Sequence, residues 1–167
     1  GYNIDAESAA EIVYTAFLHG DVKGKKVVDL GCGSGILGIA ASLLGASQVL
    51  GIDIDESAIR TVVSNAEKVG VNIDLVIGDI ECIVDGFDTT LMNPPFGTWR
   101  RGADVKFLKK ALQISNVVYS LHKQSDSVKL FLEDKISKMG GKIDWLKGMR
   151  LTIGRTYHFH KKRRYHV

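Results

Sequence analysis

The 167 residues suffice for one domain with a sizeable core, and 45% hydrophobic against 25% charged residues is ordinary for a globular chain. The net charge of +3 is local, because residues 155–167 hold five Lys/Arg and no acid, and without them 17 basic face 19 acidic residues, a net of −2. Two cysteines in no CxxC pattern, Cys32 and Cys82, argue against a disulfide scaffold or structural zinc and fit a reducing cytoplasm; no basic-then-apolar leader opens the chain.

In chain order, Asp5 is placed to cap a helix running to His19, with Gly20 as its stop. Residues 26–30 form a short apolar strand, 36–44 a helix and 48–53 the next strand. Asp55 caps a helix to Val69, ended by Gly70, and 73–77 and 88–92 follow as strands. Residues 103–115 are amphipathic, with Val105, Leu108 and Leu112 on one face. A fifth strand is expected at 117–121, and a helix at 126–139 closed by Gly140-Gly141. Beyond it, 142–153 and 157–167 look like antiparallel strands. The alternation predicts an α/β, Rossmann-like domain over 1–167: a mostly parallel sheet, helices on both faces, and an antiparallel C-terminal hairpin. The chain starts without methionine and stops inside an expected strand, so both ends are expected to be trimmed.

From 30 to 52 there is no charged residue, about the length a bilayer demands. Gly31, Gly33, Gly35, Gly38 and Gly45 punctuate it, so a buried strand–turn–helix–strand is expected rather than a membrane span.

The strongest local signal is Val27-Val28-Asp29-Leu30-Gly31-Cys32-Gly33-Ser34-Gly35. Alternate glycines after a strand let the chain turn tightly and approach a ligand without Cβ interference. In an open α/β sheet that loop lies at the carboxyl edge, where ligands bind. Asp53 ends the second strand, where a carboxylate can accept both hydroxyls of a ribose; Ile54 is expected to pack under an adenine. Asp79 ends the third strand and could accept from an adenine amine. The GxGxxG of dehydrogenases fits poorly, since Ile36 stands where its third glycine is needed. Glycines alone could merely make a tight turn, but with Asp29, Asp53 and Asp79 at successive strand ends the pattern resembles class I methyltransferases, which implies S-adenosyl-L-methionine as cofactor.

After the fourth strand comes Asn93-Pro94-Pro95-Phe96-Gly97. Two prolines cannot extend a central strand or enter a helix interior, so they stiffen a loop at the same edge. A rigid turn alone does not explain an Asn before and an aromatic after them. The stretch resembles the (D/N/S)PP(Y/F/W) of N6-adenine and glutamine methyltransferases. Their target is a planar amine with a delocalised lone pair. The resemblance implies that the Asn93 side-chain oxygen and the Pro94 carbonyl each accept one amine hydrogen, while Pro95 stiffens the loop and Phe96 stacks on a flipped base.

The match covers nearly the whole chain. Residues 88–97 (DTTLMNPPFG), 103–111 (ADVKFLKKA), 118–123 (VYSLHK) and 158–162 (HFHKK) resemble the methyltransferase-like protein five family and its archaeal relatives. That implies adenine-N6 methylation of small-subunit ribosomal RNA, and in eukaryotes a small zinc-binding activator docked by strand addition at a sheet edge. Tyr2 matches a family tyrosine that helps to enclose the cofactor, but Gly1 stands where Gln is expected.

Trp99, Arg100 and Arg101 suit an RNA-gripping lid or, equally, a solvated loop; Lys161, Lys162, Arg163 and Arg164 suit phosphate contacts or a plain hairpin tip. His158, His160 and His166 are weak metal candidates, so no metal is expected. His122 ends the fifth strand near the substrate side, and Cys32 and Cys82 are expected to pack in the core. The alternatives to an RNA adenine-N6 enzyme are a protein glutamine-N5 or DNA adenine methyltransferase, and a non-catalytic RNA-binding subunit of the same fold.

Overall fold

The computed structural model describes residues 4–84, 86–95, 102–152 and 164–166, with backbone alone for 150–152 and 164–166. Its elements are α1 (Ala6–Leu18), β1 (Lys26–Leu30), α2 (Ile36–Leu43), β2 (Gln48–Asp53), α3 (Glu56–Val69), β3 (Asp74–Ile77), a 3-10 turn (Ile80–Cys82), β4 (Phe87–Met92), α4 (Ala103–Ile114), β5 (Ser115–Ser120), α5 (Asp126–Lys138), β6 (Arg150–Thr152) and β7 (Arg164–His166). Caps fix several ends. The Asp5 and Asp55 carboxylates accept from Ser8 N–H and Ser57 N–H, and Gly70 ends α3 at φ +76°.

Strands β1 to β5 form one parallel sheet in the order β3-β2-β1-β4-β5. Strand residues alternate between two cores. Val27, Val49 and Leu91 point to one face, covered by Ile12, Val13 and Ala16 of α1 and Leu37 and Ala41 of α2. Val28, Leu30, Ile52 and Met92 point to the other, covered by Leu108, Ala111 and Ile114 of α4 and Leu132 of α5. The span-like stretch 30–52 is thus the end of β1, α2 and β2, and no described helix is long and apolar enough to cross a membrane.

The chain runs outward from β1 through β3 and then returns to β4 on the other side, so the strand order reverses between β1 and β4. At such a reversal the loops part and leave a crevice at the carboxyl ends. Leu30 pairs with Met92 there, which places Gly31 and Asn93, the next residue of each strand, side by side at about one strand spacing, ~4.8 Å.

Three expectations change. Residues 142–149 form no strand: Ile143 and Met149 join the two cores, Lys142 pairs with Asp144 and Lys147 with Glu11. Among the described residues, 150–152 and 164–166 pair antiparallel and apart from the main sheet, and 153–163 and 167 lie outside the described residues. The buried stripe of α4 is Leu108, Ala111 and Ile114, not Val105–Leu108–Leu112, because Lys110 is drawn inward to donate to the Glu81 carbonyl at 3.1 Å. Finally, Cys82 is exposed, since Ile80 and Ile83 take the inward positions around the 3-10 turn.

Candidate active site

The glycine loop is shaped by backbone requirements. Gly31, Gly33 and Gly35 have φ of +71°, +53° and +77°, the left-handed region that L side chains avoid. A Cβ at Gly31 would lie 2.8 Å from Phe107 Cε1, and one at Gly35 would lie 2.5 Å from Val62 Cγ1. Asp29 is 1% exposed and accepts from Gly38 N–H at 2.9 Å, which ties β1 to α2. Burial pushes its carboxyl up to about 7; the Gly38 bond opposes this and the Asp53 charge adds to it.

Asp53 reaches across from β2. Its Oδ2 accepts from Gly33 N–H at 2.9 Å and its Oδ1 from Asp55 N–H at 3.0 Å. Both oxygens are therefore oriented, and each keeps a lone pair for a further donor. Ile54 beside it is 73% exposed, an apolar face at the rim. Asp79 caps the 3-10 turn through Glu81 N–H at 2.9 Å and takes both its oxygens to Lys106 Nζ at 2.7 and 2.8 Å. The Lys106 hydrogen bond holds the Asp79 carboxyl below the usual range. Burial, with Asp29 and Asp53 nearby, pushes the Cys32 thiol up, so it stays protonated as a small packing group.

These residues line one cavity of about 520 Å³, which runs from Asp29, Gly31, Gly33 and Asp53 past Ile54 and Asp79 to Asn93 and Pro95. The two motifs are brought to one space. Gly35 supports the cradle from outside, against Val62, and Pro94 is buried without lining the cavity. The Asn93 side-chain oxygen is screened from solvent. Tyr2, Phe96, Trp99, Arg100, Arg101, Lys161, Lys162 and Arg163 lie outside the described residues, as does the side chain of Arg164. Ile4 lines the cavity, so the N-terminal stretch does border the pocket.

Sequence reading missed Lys106 and Phe107, which line the cavity from α4. A signal existed. Lys106 and Lys110, one helical turn apart, meet Asp79 and Glu81 of the 3-10 turn, so two basic residues spaced i, i+4 find two acids spaced i, i+2.

The site suits S-adenosyl-L-methionine on its own evidence. A Cβ at Gly31 would close on the Phe107 ring that also lines the cavity, the volume is that of a nucleoside-sized ligand, and three carboxylates face a ligand rich in cationic groups and hydrogen-bond donors.

Residues 14–93 match the family model of ribosomal protein L11 methyltransferase, and the match ends at Asn93. The rRNA N(6)-adenosine-methyltransferase Mettl5 of Drosophila melanogaster is 39% identical over 87% of this chain and 71% of its own length. The Danio rerio enzyme of the same name is 39% identical over 86% and 72%. A Pyrococcus horikoshii protein crystallised as a candidate RNA methyltransferase superposes with a TM-score of 0.91 at 34% identity, over 99% of this chain and 82% of that one. Fold and cavity define a class I methyltransferase that uses S-adenosyl-L-methionine. Within that class, the chain belongs to the Mettl5 family of rRNA N6-adenosine-methyltransferases.

Proposed function

We propose that this protein methylates the exocyclic amine of an adenine in small-subunit ribosomal RNA. The observation that carries the reading is the single cavity lined by both Asp53 and Asn93, on a chain whose relatives are named for this reaction. S-adenosyl-L-methionine supplies an electrophilic methyl group on a sulfonium centre.

The protein's part is orientation. Asp53, fixed by Gly33 N–H and Asp55 N–H, would hold the ribose hydroxyls, and the Gly31–Gly35 backbone would admit the amino-acid end next to Asp29. Asp79 would take the adenine amine while remaining paired to Lys106, and Ile54 would pack under that ring. On the other wall, Asn93 Oδ1 would accept one hydrogen of the target amine, and the Pro94 carbonyl, buried behind Asn93 and Pro95, would accept the other once a base is seated against the loop. Two acceptors favour a pyramidal nitrogen with its lone pair directed at the methyl group, so no strong base is required. Phe96 would stack on the flipped base, and Trp99, Arg100, Arg101 and the basic run 161–164 would grip the RNA. The product proton leaves to water.

The family resemblance also suggests a small zinc-binding activator, and β3, at one end of the five-stranded sheet, offers an edge for strand addition. Work on ribosomal RNA, with two free cysteines, suits a reducing cytoplasm.

The test is tritiated methyl transfer onto RNA, DNA and protein fractions from cells lacking this protein. Label in the small-subunit RNA is expected; label in protein or DNA with none in RNA contradicts the assignment.

A further inference from the structure

A second cavity, of about 350 Å³, opens at the carboxyl end of β5 and shares no lining residue with the first. Its walls are α1, the segment 120–126 with the start of α5, and residues 145–149. Its floor is apolar, with Ile12, Leu121 and Leu132 buried. Its rim is polar and aromatic. Trp145 is 48% exposed there, with one edge meeting the His19 ring at 6.2 Å and 65°. Lys123 enters none of the ion pairs found among the described residues, whereas Lys147 is tied to Glu11.

The position relative to the first site is fixed by the sheet. Met92 pairs with Ser120, and Leu121 N–H donates to the Met92 carbonyl at 3.2 Å, so Leu121, which lines the second cavity, and Asn93 leave adjacent strands side by side, ~4.8 Å apart in backbone, with His122 the next residue along. His122 accepts or donates through Nε2 to Ser120 Oγ at 2.7 Å, and burial pushes its imidazole down to about 4, against the pull of Asp104. It is therefore a neutral hydrogen-bonding wall, suited to a base edge rather than to a phosphate.

We propose that this second cavity is a nucleotide subsite: it receives the residue next to the target adenine, its base stacked on Trp145 and its phosphate at Lys123. The inference rests on an RNA acceptor and adds to it a place for the flanking nucleotide. Once the target base leaves its stack, the neighbouring base exposes an aromatic face, and a single-stranded acceptor is held by stacking plus local positive charge. The volume lies at the low end of small-ligand pockets and accommodates one base with its sugar. The cavity's nearness to Asn93 restricts its occupant to a nucleotide adjoining the target.

The full-length protein and protein-free small-subunit rRNA provide the test, with methyl transfer and binding of a fluorescent single-stranded RNA carrying the target adenine measured in parallel. Trp145→Ala is expected to raise the KM for RNA and weaken binding about tenfold, with kcat and cofactor affinity within twofold, and Trp145→Phe to restore most of it. Lys123→Ala is expected to lower the slope of log affinity against log salt by about 0.7. Unchanged RNA KM in Trp145→Ala together with an unchanged salt slope in Lys123→Ala overturns the subsite while leaving the RNA assignment intact. A change in sedimentation without a change in RNA binding assigns the cavity to a protein contact and overturns it as well. Failure of the wild type to label or bind RNA at all removes both readings.

Discussion

The carboxyl ends of β1–β3 and of β4–β5 face one crevice, yet different physics builds them. The first wall is a local product of its own sequence: three glycines at positive φ and two carboxylates, Asp29 and Asp53, each tied to backbone N–H groups of the neighbouring strand end or the strand–helix turn. The second wall is assembled from afar. Asn93 and Pro95 meet Gly102, Ala103, Lys106 and Phe107 as the chain returns into α4, and Leu121, just past β5, braces the Met92 carbonyl. A cradle made of backbone can be kept while the acceptor wall changes. In keeping with that, the match to a protein-methylating family covers 14–93 and stops where the acceptor wall begins.

The largest expected effect lies in the first wall. Gly35→Ala combines a left-handed φ with a Cβ 2.5 Å from Val62 Cγ1, and is expected to cost about 2–5 kcal/mol of stability in denaturant titrations. A loss below 0.5 kcal/mol would show that the loop yields easily and is no preformed cradle. On the second wall, Asn93→Ala is expected to lower single-turnover methyl transfer by about 10²-fold, as loss of an oriented transition-state partner does, with the cofactor dissociation constant within twofold. Asp53→Asn should do the reverse, weakening cofactor binding tenfold or more in calorimetry while the single-turnover rate at saturating cofactor stays within a few-fold. If both variants changed both quantities equally, the two walls would not be separable.

Acid and base titration sharpens the same contrast, because between pH 4 and 7 the shifted buried group is Asp29 in the first wall and His122 in the second, and the signs are opposite. Asp29 holds its proton to about pH 7 in the native protein but only to about 3.9 when unfolded. Between those values the native state binds the extra proton, so stability falls as pH rises through that window. His122 stays neutral down to about 4 in the native protein, whereas the unfolded imidazole protonates near 6.5. Its contribution is complete above about 6.5 and is lost as pH falls toward 4. The two slopes, each approaching about 1.4 kcal/mol per pH unit, offset one another over the shared range. Asp29→Asn should leave a stability that drops with acid, and His122→Gln one that drops with base, in denaturant titrations from pH 4 to 7. Parallel profiles in both variants would contradict the burial of either group. Smallest of all, Lys106→Met is expected to change cofactor affinity by no more than about threefold, since its pair with Asp79 is solvent-exposed; a larger change would make Lys106 a cofactor contact in its own right.

How legible each wall was follows from the same division. The first was visible because its requirements are short-range: glycine where φ is positive, Asp at the end of each strand, Asp55 and Gly70 as caps. Alternation gave the parallel sheet but not its order; the reversal between β1 and β4 that sets Gly31 beside Asn93 is a property of the assembled fold. Lys106 and Phe107 were hidden because a helix's facing depends on what it packs against, and Lys110 turned inward to Glu81 where periodicity put it outside. Residues 142–149 misled for a related reason. Their alternation of apolar and polar groups mimics a strand, but Ile143 and Met149 are drawn into separate cores without a partner strand. Trp145 carried no pattern at all; only the cavity beside it gives it a role.

The chemical position of the transferred methyl group bears most directly on the two-acceptor arrangement at Asn93 and Pro94. Small-subunit rRNA incubated with the protein and methyl-labelled cofactor would be digested and its nucleosides separated by mass spectrometry. Label confined to N6-methyladenosine is the expected result, because only an exocyclic amine offers two hydrogens to two acceptors. Label on a ribose oxygen, a ring nitrogen or a ring carbon would contradict it.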